Sequence, residues 1–222
     1  MRASATTLAP EISANELETL TSLLSTEQLV GRHLEIGTVA GGTLAALMHC
    51  YPDGKRPLFV VVDPMTYFPD QLAIIWRNLA ASGLDPVKVD FRVGKSWPMF
   101  RRAALNGETY SFVFIDGSHK LRYVTQDLAW TRLVEPGGII CLHDYHPDFP
   151  GVIEAVDRFL ARYSNYQVVR QTETLLVLRK TALSPVAEIG WRDRVRAHVL
   201  GTVRQLAAGI TKHLRPRAAR AS

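Results

Sequence analysis

The sequence predicts an α/β fold: an open, doubly wound, mostly parallel sheet of seven strands, ending in an antiparallel hairpin and carrying a basic amphipathic helix behind it. Three observations predict it. Short apolar runs alternate with helix-length segments of three- and four-residue apolar period. The runs lack polar alternation, as strands covered on both faces do. The last two extended segments flank a short polar turn. The 222 residues, 47% hydrophobic and 21% charged, suit one domain of this kind and exclude disordered, collagen-like and coiled-coil classes.

The elements follow in order. Ile12, Leu17, Leu20 and Leu24 give a short amphipathic helix, most simply explained by core packing. Arg32 to Ile36 reads as a strand ending at Gly37, and Thr43 to His49 as a helix closed by the turn Tyr51-Pro-Asp-Gly54. Leu58 to Val62 is the second strand, bounded by Pro57 and Asp63. Residues 69 to 82 are helical, with Leu72, Ile75, Trp76 and Leu79 on one face and Gly83 as the stop. Lys88 to Val93, Ser111 to Ile115 and Gly138 to Leu142 are three further strands, separated by helices near 97 to 105 and 120 to 133. Val152 to Tyr163 is the last helix of the body, and Tyr166 to Arg170 pairs with Leu175 to Arg179 across Gln171-Thr-Glu-Thr174. The chain divides into a helical cap (1–30), the sheet domain (31–180) and a tail (181–222).

The charge is uneven. Residues 179 to 222 hold 10 of the 26 Lys and Arg but 2 of the 21 Asp and Glu, a net +8 on the tail, whereas the remainder carries −3. The pI of about 9.4 therefore describes an appendage, and a nucleic-acid partner is not expected. In the tail, Trp191, Val195, Val199, Val203, Leu206, Ile210 and Leu214 recur at helical spacing. Arg192, Arg194, Arg196, Arg204 and Lys212 lie mostly elsewhere around that helix. Three uses compete for it: packing on its own body or on a twin subunit, peripheral contact with an anionic membrane, and attraction of a polyanion. No apolar run approaches the ~20 residues that cross a bilayer. Glu11, Glu16, Glu18 and Glu27 interrupt the first thirty residues, which show no continuous apolar run behind a basic start, so no secretory signal is expected. Cys50 and Cys141 fit free thiols in a reducing compartment, and a cytoplasmic protein is expected.

Sheets of this class bind ligands at the carboxyl ends of their strands, where the strand order reverses. Polar residues stand at every such end: Glu35 and Gly37, Asp63, Gly94 to Ser96, Asp116 to His119, and His143 with Asp144. The loop Glu35-Ile-Gly-Thr-Val-Ala-Gly-Gly-Thr43 places Gly37, Gly41 and Gly42 between a strand and a helix, where backbone can approach a ligand closely. A glutamate beside it repels a pyrophosphate and welcomes an ammonium or sulfonium, groups that S-adenosylmethionine (SAM) carries. Asp63 ends the next strand, where an acid can accept hydrogen bonds from both ribose hydroxyls. The competing account makes the glycines a tight turn and Glu35 and Asp63 helix caps.

Leu34-Glu-Ile-Gly-Thr-Val-Ala-Gly-Gly-Thr43, Val62-Asp-Pro64, Phe114-Ile-Asp-Gly-Ser-His119 and Pro136-Gly-Gly-Ile-Ile-Cys-Leu-His-Asp-Tyr145 together resemble class I SAM-dependent methyltransferases. Within that superfamily they are most similar to the small O-methyltransferases related to the macrocin and mycinamicin sugar methyltransferases and to cephalosporin-hydroxylase-like proteins. The resemblance spans about residues 30 to 180 and implies a Rossmann-like methyltransferase fold. It also implies that Gly37 and Gly41 line the methionine part of SAM, with Glu35, Thr38, Gly42 and Thr43 in the same binding loop. By the same resemblance Asp63 takes the ribose, Gly94, Lys95, Ser96 and Trp97 lie by the adenine, and Asp116 borders the cofactor.

Methyl transfer to a hydroxyl needs that proton removed or acidified, by a general base or by a divalent cation. Asp116 and Asp144 end adjacent strands, so their carboxylates can converge, and two such groups suit an oxygen-loving cation. The resemblance implies a metal held by Asp116, His143 and Asp144, with magnesium first and manganese second, and His119 as the base. The chain departs from the family pattern at His143, where a carboxylate is usual, and imidazole suits manganese, iron or zinc better than magnesium.

His146 and Asp148 follow the fifth strand, a usual place for acceptor contacts; Tyr67 and Phe68 could stack on a sugar or cofactor or equally well cover the sheet, and His33 and His49 read as structural. The function expected is methyl transfer to a hydroxyl of a saccharide or glycosylated metabolite, by a homodimer. Two alternatives stand beside it: an N-methyltransferase of nucleic acids or small molecules, and a non-catalytic scaffold or membrane-surface binder. Tyr51-Pro-Asp-Gly-Lys55 matches the Y-x-x-x-K of short-chain oxidoreductases, but it sits in a turn, where that chemistry needs a helix.

Overall fold

The computed structural model describes residues 9–27 and 29–214, with side chains through residue 203. Helix α1 (Ala14–Thr26) precedes strand β1 (Arg32–Ile36); then follow α2 (Gly42–His49), β2 (Phe59–Asp63), α3 (Gln71–Ala81), β3 (Val89–Val93) and α4 (Ser96–Leu105). The second half contains β4 (Tyr110–Ile115), α5 (Leu121–Asp127), β5 (Val134–Leu142), α6 (Pro150–Arg162), the hairpin β6 (Tyr166–Thr172) and β7 (Leu175–Lys180), and the tail helix α7 (Trp191–Leu214). One seven-stranded sheet has the order β3-β2-β1-β4-β5-β7-β6. The first five strands are parallel, and β7 pairs antiparallel with both β5 and β6. The order reverses between β1 and β4, which places the switch point of the doubly wound sheet over those two strand ends.

Alternation along each strand builds two cores. Leu34, Ile36, Val60, Val62, Val113, Ile115, Ile140 and Leu142 pack on one face with Phe100, Val124, Trp130 and Phe159 from the α4 to α6 side. Val61, Phe112, Phe114, Ile139 and Cys141 face the other way, against Leu20 and Leu24 of α1, Leu44 and Met48 of α2, and Ile75 and Leu79 of α3. With both faces covered, the central strands read as continuous apolar runs, the pattern that predicted the fold.

Several expected boundaries shift. The second strand extends through Asp63, whose backbone carbonyl accepts a hydrogen bond from Gly94 N at 3.0 Å, and it leaves Leu58 outside. The helix expected over 120 to 133 is α-helical only to Asp127 and tightens into a 3-10 segment at Leu128–Leu133, which buries Trp130. The hairpin turn is shorter than expected, Glu173-Thr174, with Glu173 at φ 51°. Cys50 and Cys141 are both free, the first half-buried and the second buried. Buried His33 is structural: its Nε2 meets the Tyr51 hydroxyl at 2.6 Å and its Nδ1 the Gly31 carbonyl at 3.0 Å.

Helix α7 lies on its own body, against α5. Ala197 is buried there, the Arg194 guanidinium stacks 4.0 Å from the Trp97 ring centre, and Asp193 pairs with Arg162 at 3.0 Å. Ala197 and Gly201 make this the small-residue side of the helix. Its apolar stripe of Trp191, Val195, Val199 and Val203 is exposed. The side chains of Arg204, Leu206, Ile210, Lys212 and Leu214 lie outside the described residues.

Candidate active site

The carboxyl ends of the parallel strands border a cavity of about 790 Å³. Gly37 and Thr38 line it after β1, Asp63 after β2, Lys95 and Ser96 after β3, Asp116 to His119 after β4, and His143 with Asp144 after β5. Every strand end that the sequence singled out therefore contributes. The remaining expected cofactor residues, Glu35, Gly41, Gly42, Thr43, Gly94 and Trp97, stand outside this lining.

Each of those six has a local reason. Gly41 caps α2 at φ 85°, with Gly42 and Thr43 in the helix's first turn. Gly94 turns at φ 153°, and a side chain there would run into Met99. Trp97 packs on Phe100 and lies beneath Arg194. Glu35 is buried, and neither its carboxylate oxygens nor the Thr38 hydroxyl has a hydrogen-bond partner among the described residues. Burial pushes Glu35 up to about 8, assisted by the negative neighbours Asp116 and Asp63. Unsatisfied buried groups of this kind beside a cavity are what a bound ligand explains.

Gly37 is the hinge of the loop. It has φ 86°, and any Cβ would collide with the Asp116 carbonyl, so only glycine lets β1 and β4 end this close together. Asp63 then fastens the loop: one oxygen accepts from Thr38 N at 3.1 Å and the other from Met65 N at 2.5 Å. Burial raises its pKa despite those bonds.

The most heavily charged part of the cavity is a chain of side chains running from α1 to the end of β4. His119 Nε2 lies 2.5 Å from Asp144 Oδ2. Asp144 has φ 61°, a left-handed conformation that is uncommon for any residue but glycine and less so for aspartate, and that turns the chain sharply after β5. His143 stands between three carboxylates: its Nδ1 faces Asp116 at 3.1 Å and Asp144 at 3.4 Å, and its Nε2 faces Glu16 at 3.3 Å. Burial would lower the His143 pKa, but the bonds to Asp116 and Asp144 outweigh it and hold it at about 11. Asp144 is held far below the carboxylate range, because bonds from His119 and His143 overcome its burial. Asp116 is raised, since burial exceeds the help it receives from His143. The bond to Asp144 raises His119 against a smaller lowering by burial.

Glu16 is the residue that sequence reasoning missed. Its signal, Ser13 three positions ahead, is a capping box, and both reciprocal bonds are present at 3.0 and 3.2 Å. The same carboxylate also accepts from Thr174 N and Oγ1 at 2.9 and 2.7 Å and meets His143, so the α1 cap also supports His143 from behind the cavity lining. Tyr123, Gln126 and Asp127 of α5 also line the cavity without having been expected; burial pushes Asp127 up to about 7, with Ser96 opposing. Tyr67 lines it as anticipated, its ring 5.8 Å from Phe68.

One atom from each of Asp116, His143 and Asp144 lies within 4.8 Å of the others, so these three could hold a metal ion. The donor set fits: two carboxylates, and an imidazole whose far nitrogen is fixed by Glu16, leaving Nδ1 towards the acids.

Comparison with known proteins bears on the same region. Solved structures share the fold at low identity. An O-methyltransferase from Bacillus cereus in complex with SAH superposes with a TM-score of 0.62 at 18% identity, covering 77% of this chain and 83% of that one. TomG from Streptomyces achromogenes, an O-methyltransferase of tomaymycin synthesis in complex with SAM, gives 0.59 at 21%, covering 77% and 82%. CalS11, a TDP-rhamnose 3'-O-methyltransferase of calicheamicin biosynthesis, gives 0.59 at 17%, covering 73% and 76%. No curated protein matches the chain. A family model described as a methyltransferase domain matches residues 34–145, which is half of the chain and contains all five parallel-strand ends around the cavity. The chain belongs to the methyltransferase domain family.

Proposed function

We propose that this protein is a SAM-dependent O-methyltransferase that acts on a hydroxyl of a saccharide or glycosylated metabolite. The observation that carries the reading is the His119–Asp144 pair at the edge of the 790 Å³ cavity. SAM supplies a methyl group on a sulfonium, an electrophile that an alkoxide attacks in line. On this reading Asp63 accepts hydrogen bonds from the ribose, and the Gly37 loop with buried Glu35 faces the cationic methionine end. Asp144 accepts a hydrogen bond from the Nε2–H of His119, so Nδ1 carries the lone pair that removes the proton of the acceptor hydroxyl. The imidazolium so formed is stabilised by Asp144. His119 is half-exposed, which gives that proton a path to water.

Asp116, His143 and Asp144 would hold a divalent cation, which would acidify the acceptor hydroxyl beside His119. An imidazole among the ligands favours manganese over magnesium. The description of TomG and CalS11 as O-methyltransferases supports O-transfer, and the TDP-rhamnose named for CalS11 supports a sugar. The exposed α7 stripe, with Arg192 and Arg196 also exposed, supports a peripheral contact with an anionic membrane. Sedimentation with phosphatidylglycerol vesicles tests that contact, and Val199→Glu should abolish it.

The test of the reaction is methyl transfer from labelled SAM to a panel of free sugars, nucleotide sugars and glycosylated polyketides, with and without EDTA. Transfer to a sugar hydroxyl that His119→Ala abolishes supports the reading. Binding of SAM in a calorimeter without transfer to any hydroxyl in the panel would count against it, and failure to bind SAM at all would return the chain to the scaffold reading.

A further inference from the structure

A second cavity of about 260 Å³ lies beside the first, between the starts of α5 and α6 and the middle of α7. His119 lines both. Phe149 lines the smaller one as well, its ring 4.4 Å from that of His119. Its volume is below the ~300–1,000 Å³ of sites for drug-sized ligands, room enough for one ring or one charged substituent.

The lining is cationic. Lys120 and Arg122 carry full positive charges, and Asp148 is the one acid among the lining residues. The Asp148 carboxylate is 81% exposed and lies 3.4 Å from His146, so it does little to neutralise the wall. Arg122 donates from Nη2 to the Tyr123 hydroxyl at 2.7 Å, and its Nη1 meets His198 Nδ1 at 3.4 Å. Its Nε–H is buried and has no partner among the described residues. The guanidinium, held 4.4 Å over the Tyr123 ring, thus sets a positive charge in the cavity wall beside Lys120, where an anionic substituent finds its counter-charge. Gly201 keeps the far wall open: a Cβ there would meet nothing nearer than Leu121 Cβ at 3.9 Å.

Resting on the proposed reaction and extending it to the substrate, we propose that this cavity is an anion subsite of the acceptor. It receives a phosphate or carboxylate substituent while the hydroxyl to be methylated lies at His119. The acceptor class is then an acidic sugar, such as a sugar phosphate, nucleotide sugar or uronic acid, and α7 is part of the specificity wall. A neutral sugar leaves Lys120 and Arg122 without a counter-charge and binds more weakly.

Titration calorimetry on the full chain with S-adenosylhomocysteine present tests this with three probes: glucose 1-phosphate, glucuronate and glucose. The two anions are expected to bind at least tenfold more tightly than glucose and to weaken as salt rises. Glucose 1-phosphate favoured over glucuronate identifies a phosphate site, and the reverse a carboxylate site. Arg122→Gln should weaken the anions about tenfold or more. Gly201→Leu, which fills the cavity from its far wall without touching Arg122, should do the same. In both variants the affinity for S-adenosylhomocysteine should stay unchanged, which also reports that they fold. Equal binding of glucose and the anions, no anion binding, or anion binding that survives both variants would overturn the subsite. Loss of S-adenosylhomocysteine binding by the native chain would instead defeat the proposed function.

Discussion

His119 and Asp144 face each other across 2.5 Å, although one follows β4 and the other follows β5 in the left-handed conformation. The contact engages Nε2, and in the proposed reaction Nδ1 is the nitrogen that meets the acceptor. It also raises the pKa of His119, so the neutral base is the minority form until the pH exceeds its ordinary value near 6.5.

The first prediction follows from that sign. A base works when unprotonated, so kcat should rise with pH through a value above 6.5. Asp144→Asn should move the limb downwards and lower kcat, and His119→Ala should remove the limb and cost ~100-fold or more with SAM affinity unchanged. A pH profile of initial rates checks this; an unmoved limb in Asp144→Asn takes the orienting role from Asp144.

Asp63 is expected to matter for binding and little for chemistry. Asp63→Ala deprives Thr38 N and Met65 N of their acceptor and, in the proposed binding mode, removes the ribose partner. Charged hydrogen bonds are worth ~1.5–3 kcal/mol each, so the dissociation constant for S-adenosylhomocysteine should rise ~10- to 100-fold. Calorimetry measures it, and an unchanged constant would move the ribose elsewhere.

At the three-residue donor set, metal and proton compete. His143 is held protonated, at about 11, by its carboxylate neighbours, so an ion that takes Nδ1 must release that proton. Manganese affinity should therefore rise with pH, with close to one proton released per ion. His143→Asp should shift preference towards magnesium. Manganese paramagnetic resonance and calorimetry in buffers of different ionisation enthalpy read both effects; pH-independent affinity would place the ion away from His143.

Glu16 links the site to stability. Burial raises its pKa, but bonds from Thr174 and Ser13 and the charge of His143 more than reverse this, so the folded value is lowered. A carboxyl lowered on folding adds stability above its unfolded pKa near 4.5, and that contribution disappears as pH falls through the folded value. Glu16→Gln should cost ~1–3 kcal/mol at pH 7 and flatten the acid limb of the stability curve. Urea unfolding between pH 3 and 7 decides it; parallel curves for variant and native chain would mean the buried carboxylate does no such work.

The succession of strands and helices, the parallel character of the central sheet and the ring of polar residues at the strand ends were all legible in the amino-acid sequence. Those features are local: a strand buried on both faces must be apolar throughout, and the chain must turn polar where it leaves the sheet. The Gly37 loop, Asp63, Asp116, His119, His143 and Asp144 were legible for that reason. Only the tertiary structure decided that Trp97 lies under Arg194, that α7 presents its apolar stripe outwards, and that Glu16 closes on His143. In sequence Glu16 is a helix cap 127 positions from its partner. Periodicity reports which face of a segment is buried and is silent on what buries it, because that choice is made by sheet order and helix packing between residues far apart in the chain.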